Sequence, residues 1–204
     1  MNKALILAGP SAVGKTTVAL VLEKYGFELL RSATTRAPRG DGRDDEYIYI
    51  SHEEFLERIS RGEMLEHTEF AGNLYGTPKS EVDRVLSKGK LPLMILDLCG
   101  VKTLTSKRLD FRAVAIYLWD YPSVIEERLR LRYSGFEDGE ARLQGRLAEN
   151  ANFNRVIASD EIGFDAFVRN EEPSECAKLV FEAFSAAEDV FIKAEIPDPL
   201  KNIV

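Results

Sequence analysis

Five apolar runs along the chain predict buried strands, and amphipathic segments between most of them predict helices. The predicted strands are Lys3–Ala8, Phe27–Leu30, Leu91–Leu98, Ala113–Trp119 and Phe164–Val168. The predicted helices are Lys15–Tyr25, Val101–Leu109, Pro122–Arg132 and Pro173–Asp189. Strands that alternate with helices favour a parallel sheet with helices on both faces, so the pattern predicts an α/β fold. Ligands of such sheets bind at the carboxyl ends of the strands.

One block, residues 32–88, interrupts this alternation. Within it, residues 45–51 alternate like a strand that has one exposed face, and His52–Arg61 has the periodicity of a helix. Met64–Leu74 is expected to form further short strands. The block therefore predicts a small antiparallel β/α insert on the α/β core.

The length of 204 residues, of which 45% are hydrophobic, fits one domain with a sizeable core, residues 1–204. We divide it into a core of about residues 1–31, 89–122 and 160–190, an insert of 32–88, a lid of 123–159 and a tail of 191–204. Because the tail contains two prolines close to the chain end, we expect it to be loosely held.

Charge and composition exclude several classes of function. The net charge of −7 at pH 7 argues against nucleic-acid binding through a basic surface. No apolar run approaches the roughly 20 residues that span a bilayer, so no membrane partner is expected. Cys99 and Cys176 have neither disulfide-framework nor metal-site spacing, and both are expected to be buried thiols. A recognisable targeting segment is absent from the sequence, which predicts a cytoplasmic protein.

The first predicted strand leads into a G-x-x-x-x-G-K-T motif, which predicts a phosphate-binding loop. The motif and the next residue are Gly9, Pro10, Ser11, Ala12, Val13, Gly14, Lys15, Thr16 and Thr17. Its glycines let backbone N–H groups turn toward an anion, and the following helix adds its positive end. Lys15 can reach the β- and γ-phosphates of a nucleotide, and the Thr16 hydroxyl can ligate Mg²⁺. The alternative is an ordinary glycine-rich turn with an exposed lysine.

Asp97 follows the apolar run Leu93–Leu96, in the manner of an acid placed beside nucleotide phosphates. With Thr16 it is a candidate for holding Mg²⁺, partly through water. The alternative is that Asp97 only caps the next helix.

Two basic clusters are candidates for phosphate contacts. Arg36 and Arg39, followed by Tyr47 and Tyr75, could grip one phosphate, since guanidinium forks and phenol hydroxyls both donate to phosphate oxygens. A polar turn and ordinary strand aromatics are the alternative.

The second cluster, within residues 126–146, contains Arg128, Arg130, Arg132, Arg142 and Arg146. Arginines on a mobile flap can close over a transferring phosphoryl group, whereas Glu–Arg pairs on a solvated helix are the alternative. We favour catalysis for Arg132 and Arg146, and surface pairing for Arg130 and Arg142.

Several segments together resemble those of guanylate kinases over roughly residues 3–190. The segment 32–39 is similar to S-x-T-T-R-x-P-R, 62–66 to G-E-F-(L/I)-E, 72–77 to G-N-x-Y-G-(T/S), and the phosphate loop to G-P-S-x-x-G-K-(S/T). They occur in the family's order and spacing. The chain departs from the family at Cys99, where D-V-Q-G has Gln, and in a shortened stretch between Arg39 and Tyr47 that has Glu46 in place of an Asp.

The resemblance implies a P-loop NTPase core, a GMP-binding insert and a helical lid. It implies phosphoryl transfer from ATP to GMP or dGMP with Mg²⁺, in a monomer or a homodimer. It implies GMP contacts from Ser32, Arg36, Arg39, Tyr47, Glu66, Tyr75, Thr77 and Asp97. ATP contacts would come from the phosphate loop, Arg128 and Asn170, and catalysis from Lys15, Arg39, Arg132 and Arg146. A peptide-binding module of the same fold and a kinase for another phosphorylated acceptor are the alternatives.

Overall fold

The centre of the fold is a five-stranded parallel sheet, seen in a computed structural model that describes residues 2–38, 47–70 and 72–201. Its strands are β1 (Asn2–Ala8), β2 (Phe27–Leu29), β7 (Leu91–Ile95), β8 (Phe111–Trp119) and β9 (Ala166–Arg169), in the order β2-β7-β1-β8-β9. Every residue of β8 is buried, as expected for a strand covered on both faces.

Helices cover both faces of this sheet. They are α1 (Lys15–Leu22), α4 (Leu98–Ser106), α5 (Pro122–Tyr133), α6 (Gly139–Ala158) and α7 (Pro173–Ala186), with a 3₁₀ turn at Glu23–Tyr25 after α1. Successive residues of β1 enter different cores: Ala4 and Ile6 join one buried cluster, and Leu5 and Leu7 join the other. The predicted α/β fold is confirmed.

The insert forms a second, four-stranded sheet in the order β4-β3-β6-β5. Its elements are β3 (Ser32–Thr34), β4 (Tyr47–Tyr49), α2 (His52–Ser60), β5 (Met64–Phe70), β6 (Asn73–Pro78) and α3 (Lys79–Ser87). Strand β6 is antiparallel to β3 and β5, but β3 and β4 are parallel, which corrects the wholly antiparallel prediction. Parallel neighbours need a connection that returns the chain to the same end of the sheet, and short-range alternation carries no sign of this.

Two predicted boundaries move because of side-chain contacts. The Asp97 carboxylate accepts a hydrogen bond from the Gly100 N–H at 2.7 Å and so starts α4 at Leu98 rather than at the predicted Val101. The preceding strand consequently ends at Ile95, three residues before the predicted end. Helix α3 was not predicted at all.

The C-terminal segment packs on the core over its described residues, which corrects the prediction of a loose tail. A short helix, α8 (Asp198–Lys201), contacts α6, and the Ala194 N–H donates to the Phe164 carbonyl at 2.8 Å. Ile196 and Leu200 are buried in the same cluster as Ala4 and Ile6 of β1. Two buried apolar residues four positions apart thus help to hold this segment on the core, despite its prolines.

We expect Leu200→Ala to lower the free energy of unfolding by about 2–5 kcal/mol, because it removes buried methyl groups and leaves a cavity. Leu200 is 2% exposed, whereas Val190, at 72%, provides a control in Val190→Ala. Urea denaturation followed by circular dichroism measures the difference. Equal midpoints for the two variants would show that the segment adds nothing to stability.

The helices within the described ranges include none that is both long enough and apolar enough to cross a membrane.

Candidate active site

The phosphate loop joins β1 to α1 and lies at the carboxyl end of the central strand. Gly9 and Gly14 have φ of +148° and +98°, which favour glycine. A Cβ atom at Gly9 would lie 2.3 Å from the Leu118 carbonyl oxygen, and one at Gly14 would lie 2.4 Å from the Asn170 Nδ2. Gly9 is therefore required by close packing against backbone as well as by its conformation, and Gly14 chiefly by its conformation.

Lys15 is the centre of a cluster of cations. Its ammonium group donates to the carbonyl oxygens of Gly9 and Pro10 at 2.8 and 3.0 Å. Burial, together with the charges of Arg132 and Arg146, lowers the pKa of Lys15 to about 8. The lid arginines are thus near enough to Lys15 to act on its charge, and the three groups together suit a polyphosphate.

Two cavities adjoin at Ile95 and Leu96, where β7 ends. The larger has a volume of about 500 Å³, and its lining includes Lys15, Asp97 and Arg146. The smaller, about 160 Å³, is lined by residues of the core and the insert, namely Thr16, Leu29, Leu30, Ser32, Tyr47, Thr77, Met94, Ile95 and Leu96. A ligand in the smaller cavity would therefore lie beside a ligand on the phosphate loop.

Glu66 and Thr77 form a buried polar pair at the insert. They are opposite each other in the β5–β6 ladder, and the Thr77 hydroxyl donates to Glu66 Oε1 at 2.7 Å. Glu66 is only 7% exposed. Burial raises its pKa above the ordinary value, with a further contribution from the charge of Asp97. The pair offers a carboxylate acceptor where water access is low.

Glu66 has a pKa that is higher in the folded than in the unfolded chain, so the folded state binds more protons between the two values. The free energy of unfolding therefore falls as the pH rises from the ordinary pKa of a glutamate to the raised pKa of Glu66 in the folded state. We expect Glu66→Gln to unfold at a higher temperature than wild type at neutral pH, since Gln can still accept from Thr77. Thermal unfolding as a function of pH tests this, and a lower melting temperature at neutral pH would contradict it.

An aromatic platform surrounds Arg36. Its guanidinium carbon lies 5.3 Å from the Tyr47 ring centre and 5.8 Å from that of Tyr49, and the Tyr47 and Tyr75 rings are 6.4 Å apart. Within the described ranges Arg36 forms no ion pair with a carboxylate. Tyr49 was not predicted, although its position two residues after Tyr47 places both on one face of β4. Arg39, predicted to contact a phosphate, lies outside the described residues.

Arg128 and Asn170 lie against the phosphate loop. Arg128 pairs with Asp120 at 3.0 Å and donates to the Asn170 carbonyl at 3.1 Å. The Asn170 amide donates to the Val13 carbonyl at 2.6 Å. These two predicted nucleotide-binding residues thus support the loop backbone directly.

The five lid arginines divide into two groups. Arg130 pairs with Glu126 at 2.6 Å and Arg142 with Asp138 at 2.7 Å, so the prediction of surface pairs is confirmed for both. Arg146 lines the larger cavity and pairs with Glu149, whereas Arg132 is exposed in the last turn of α5. Of these five arginines, Arg132 and Arg146 contribute to the lowered pKa of Lys15.

Thr16 and Asp97 are exposed, and each carries a side-chain oxygen that can ligate a metal ion. A hydroxyl and a carboxylate are suitable ligands for Mg²⁺, which takes the rest of its ligands from water and substrate phosphates. The described residues contain no group of three or more His, Cys, Asp or Glu that could hold a metal by itself. Asp97 also caps α4, so one of the two alternatives for this residue is realised without excluding the other.

The two cysteines differ. Cys176 is buried, as predicted, and burial raises its pKa to about 12. Cys99 is exposed, which corrects the prediction of a buried thiol, because it lies in the first turn of α4 with the cap at Asp97 setting the helix orientation.

Comparison with known proteins gives concordant matches. The family profile described as guanylate kinase matches residues 1–187. A guanylate kinase of Lactobacillus delbrueckii subsp. bulgaricus is 34% identical over 203 residues, which are 98% of this chain and 95% of that protein. One from Trichormus variabilis is 38% identical over 177 residues, covering 84% and 83%. The crystal structure of guanylate kinase from Anaplasma phagocytophilum has a TM-score of 0.63 at 26% identity, covering 91% and 85%.

Proposed function

Because the chain belongs to the guanylate kinase family, we propose that it transfers the γ-phosphoryl group of ATP to GMP or dGMP, giving ADP and GDP or dGDP. The observation that carries this proposal is a pair of adjoining cavities, one lined by Lys15 of the phosphate loop and the other by Ser32 and Thr77 of the insert. A donor in the first cavity and an acceptor in the second would meet at the end of β7.

The acceptor base is read by Glu66. Guanine presents N1–H and N2–H₂ as adjacent donors, which one carboxylate can accept together, whereas adenine lacks this pair. Thr77, bonded to Glu66, and Ser32 supply hydroxyls for the rest of the base edge. A wrong base leaves these buried polar groups unpaired, which is a strong source of discrimination.

The acceptor phosphate is held by Arg36, Tyr47 and Tyr75, and the transferring group by Lys15, Arg132 and Arg146. The support for this division is that the first set lies on the insert, whereas Lys15 and Arg146 line the larger cavity and the charge of Arg132 lowers the pKa of Lys15. Cations that are already in place stabilise the charge on the moving phosphoryl oxygens. No side chain acts as a strong base, because the attacking oxygen belongs to a phosphate that is already an anion.

Thr16 and Asp97 would hold Mg²⁺, Asp97 partly through water. When bound, the ion would neutralise charge on the donor phosphates. Asp97 can serve both the metal and the helix cap, since a carboxylate has two oxygens and the cap uses Oδ1.

The test is the initial rate of ADP formation from ATP and Mg²⁺ with GMP, AMP, CMP or UMP offered separately. We expect turnover with GMP that far exceeds turnover with the other three and that stops on chelation of Mg²⁺. Absence of turnover with all four, from folded protein, would contradict the proposal in favour of a binding role or a different phosphorylated acceptor.

A further inference from the structure

The carboxamide of Asn150, on α6, pairs with both backbone groups of Ser11 in the phosphate loop. Its Oδ1 accepts from the Ser11 N–H at 2.7 Å, and its Nδ2 donates to the Ser11 carbonyl at 3.2 Å. Asn150 is 6% exposed. A carboxamide carries a donor and an acceptor side by side, so it can satisfy a residue's N–H and C=O at once. The contact joins two parts of the chain that are 139 residues apart.

This contact determines how α6 sits on the phosphate loop. Arg146 precedes Asn150 by four residues, so the two side chains lie on the same face of the helix, about one turn apart. Both line the larger cavity together with Gly9 and Lys15. A shift or rotation of α6 relative to Ser11 would therefore move the Arg146 guanidinium relative to Lys15.

Other contacts of α6 are of two kinds. Its buried apolar residues are Leu143 and Ile157, whose contacts are non-directional, and Arg146 itself is hydrogen-bonded to Tyr133 of α5, which does not join the helix to the phosphate loop. The Asn150–Ser11 pair is directional, and breaking it would leave the buried carboxamide of Asn150 and the half-buried backbone groups of Ser11 without each other as partners. The helix is thus pinned next to the loop by a contact that tolerates little displacement.

We propose that Asn150 is a positioning residue that fastens α6 to the phosphate loop and thereby holds Arg146 in place beside Lys15. The catalytic part of this inference rests on the proposed function, whereas the fastening itself does not. Asn150 acts through Arg146 and through the loop, without contact to the reacting atoms.

The fastening is tested by amide hydrogen exchange of segment 9–14 and of α6 in Asn150→Ala, with Gln144→Ala as control. Gln144 is an exposed amide residue on the same helix, and its side chain donates to Glu140 one turn earlier. We expect faster exchange of both segments in Asn150→Ala alone. Equal exchange in the two variants would overturn the inference, and this result does not depend on any kinase activity.

The catalytic part is tested by a double-mutant cycle with Arg146→Ala. We expect Asn150→Ala to lower kcat by about 10- to 100-fold with little change in the KM for GMP, since small misplacements of a catalytic group have such effects. In the Arg146→Ala background the same change should have less than about a twofold effect, because its target is gone. Additive losses, or a kcat that is unchanged or higher in Asn150→Ala, would overturn the inference.

If Asn150→Ala does not fold, Asn150→Asp takes its place in both tests. The aspartate keeps an acceptor for the Ser11 N–H but directs a second oxygen at the Ser11 carbonyl. It is expected to show the same kcat loss and the same dependence on Arg146. A wild-type protein that transfers no phosphoryl group to GMP would refute the proposed function and leave the exchange test in force.

Discussion

Lys15→Ala is expected to lower kcat for GMP phosphorylation by about 10²- to 10³-fold while the protein remains folded. Lys15 is the half-buried member of the cation cluster, already oriented by the Gly9 and Pro10 carbonyls. Charge that develops on the phosphoryl oxygens would lose its nearest preorganised partner, and alanine supplies none. Steady-state kinetics with saturating ATP and GMP measures the loss.

Lys24→Ala is the matched control. Lys24 is exposed on the 3₁₀ turn after α1, and its substitution removes the same charge from the chain as Lys15→Ala does. It should leave kcat within the error of the assay. A Lys15→Ala enzyme that retains wild-type kcat would show that the loop does not hold the donor phosphates in the proposed way.

Glu66→Gln is expected to lower kcat/KM for GMP by about 10²- to 10⁴-fold, corresponding to two charge-assisted hydrogen bonds. The new amide can still accept from Thr77, but its NH₂ group would face the donors of guanine. The decrease in kcat/KM should be much smaller for AMP, so the ratio of kcat/KM for GMP to kcat/KM for AMP falls. Kinetics with both nucleotides measures this ratio.

Glu69→Gln, on the same strand but exposed, is the control for charge and is expected to be silent. Because burial raises the pKa of Glu66, the variant should be at least as stable as wild type at neutral pH, which separates lost function from lost folding. An unchanged preference for GMP over AMP in Glu66→Gln would remove this residue from the base site.

Local sequence features predicted the parts of the site that depend on neighbours along the chain. The strand, the two glycines and Lys15 of the phosphate loop lie within one short segment, and their chemistry follows from their order. Glu66 is different, because a glutamate on a short strand has no local sign of burial. Its role was expected only from resemblance, and pairing with Thr77 depends on the β5–β6 register.

Asn150 was missed because its partner, Ser11, is distant in sequence and is contacted through backbone atoms that every residue possesses. The sequence offered one sign of its role, namely that this polar residue follows Arg146 by four positions on a helix and so shares a face with it. The packed C-terminal segment was missed for a similar reason, since Leu200 is recognisable as buried only once α6 and the sheet are in place. Contacts of this kind are set by tertiary packing, which local periodicity does not encode.

Phosphoryl transfer from ATP to GMP is tested most directly by following the phosphoryl group itself. The protein is incubated with Mg²⁺, ATP radiolabelled at its γ-phosphate, and an equimolar mixture of GMP, AMP, CMP and UMP, and the products are separated by chromatography. We expect the label to appear in GDP almost alone. Label in another nucleoside diphosphate, or only in inorganic phosphate, would contradict it.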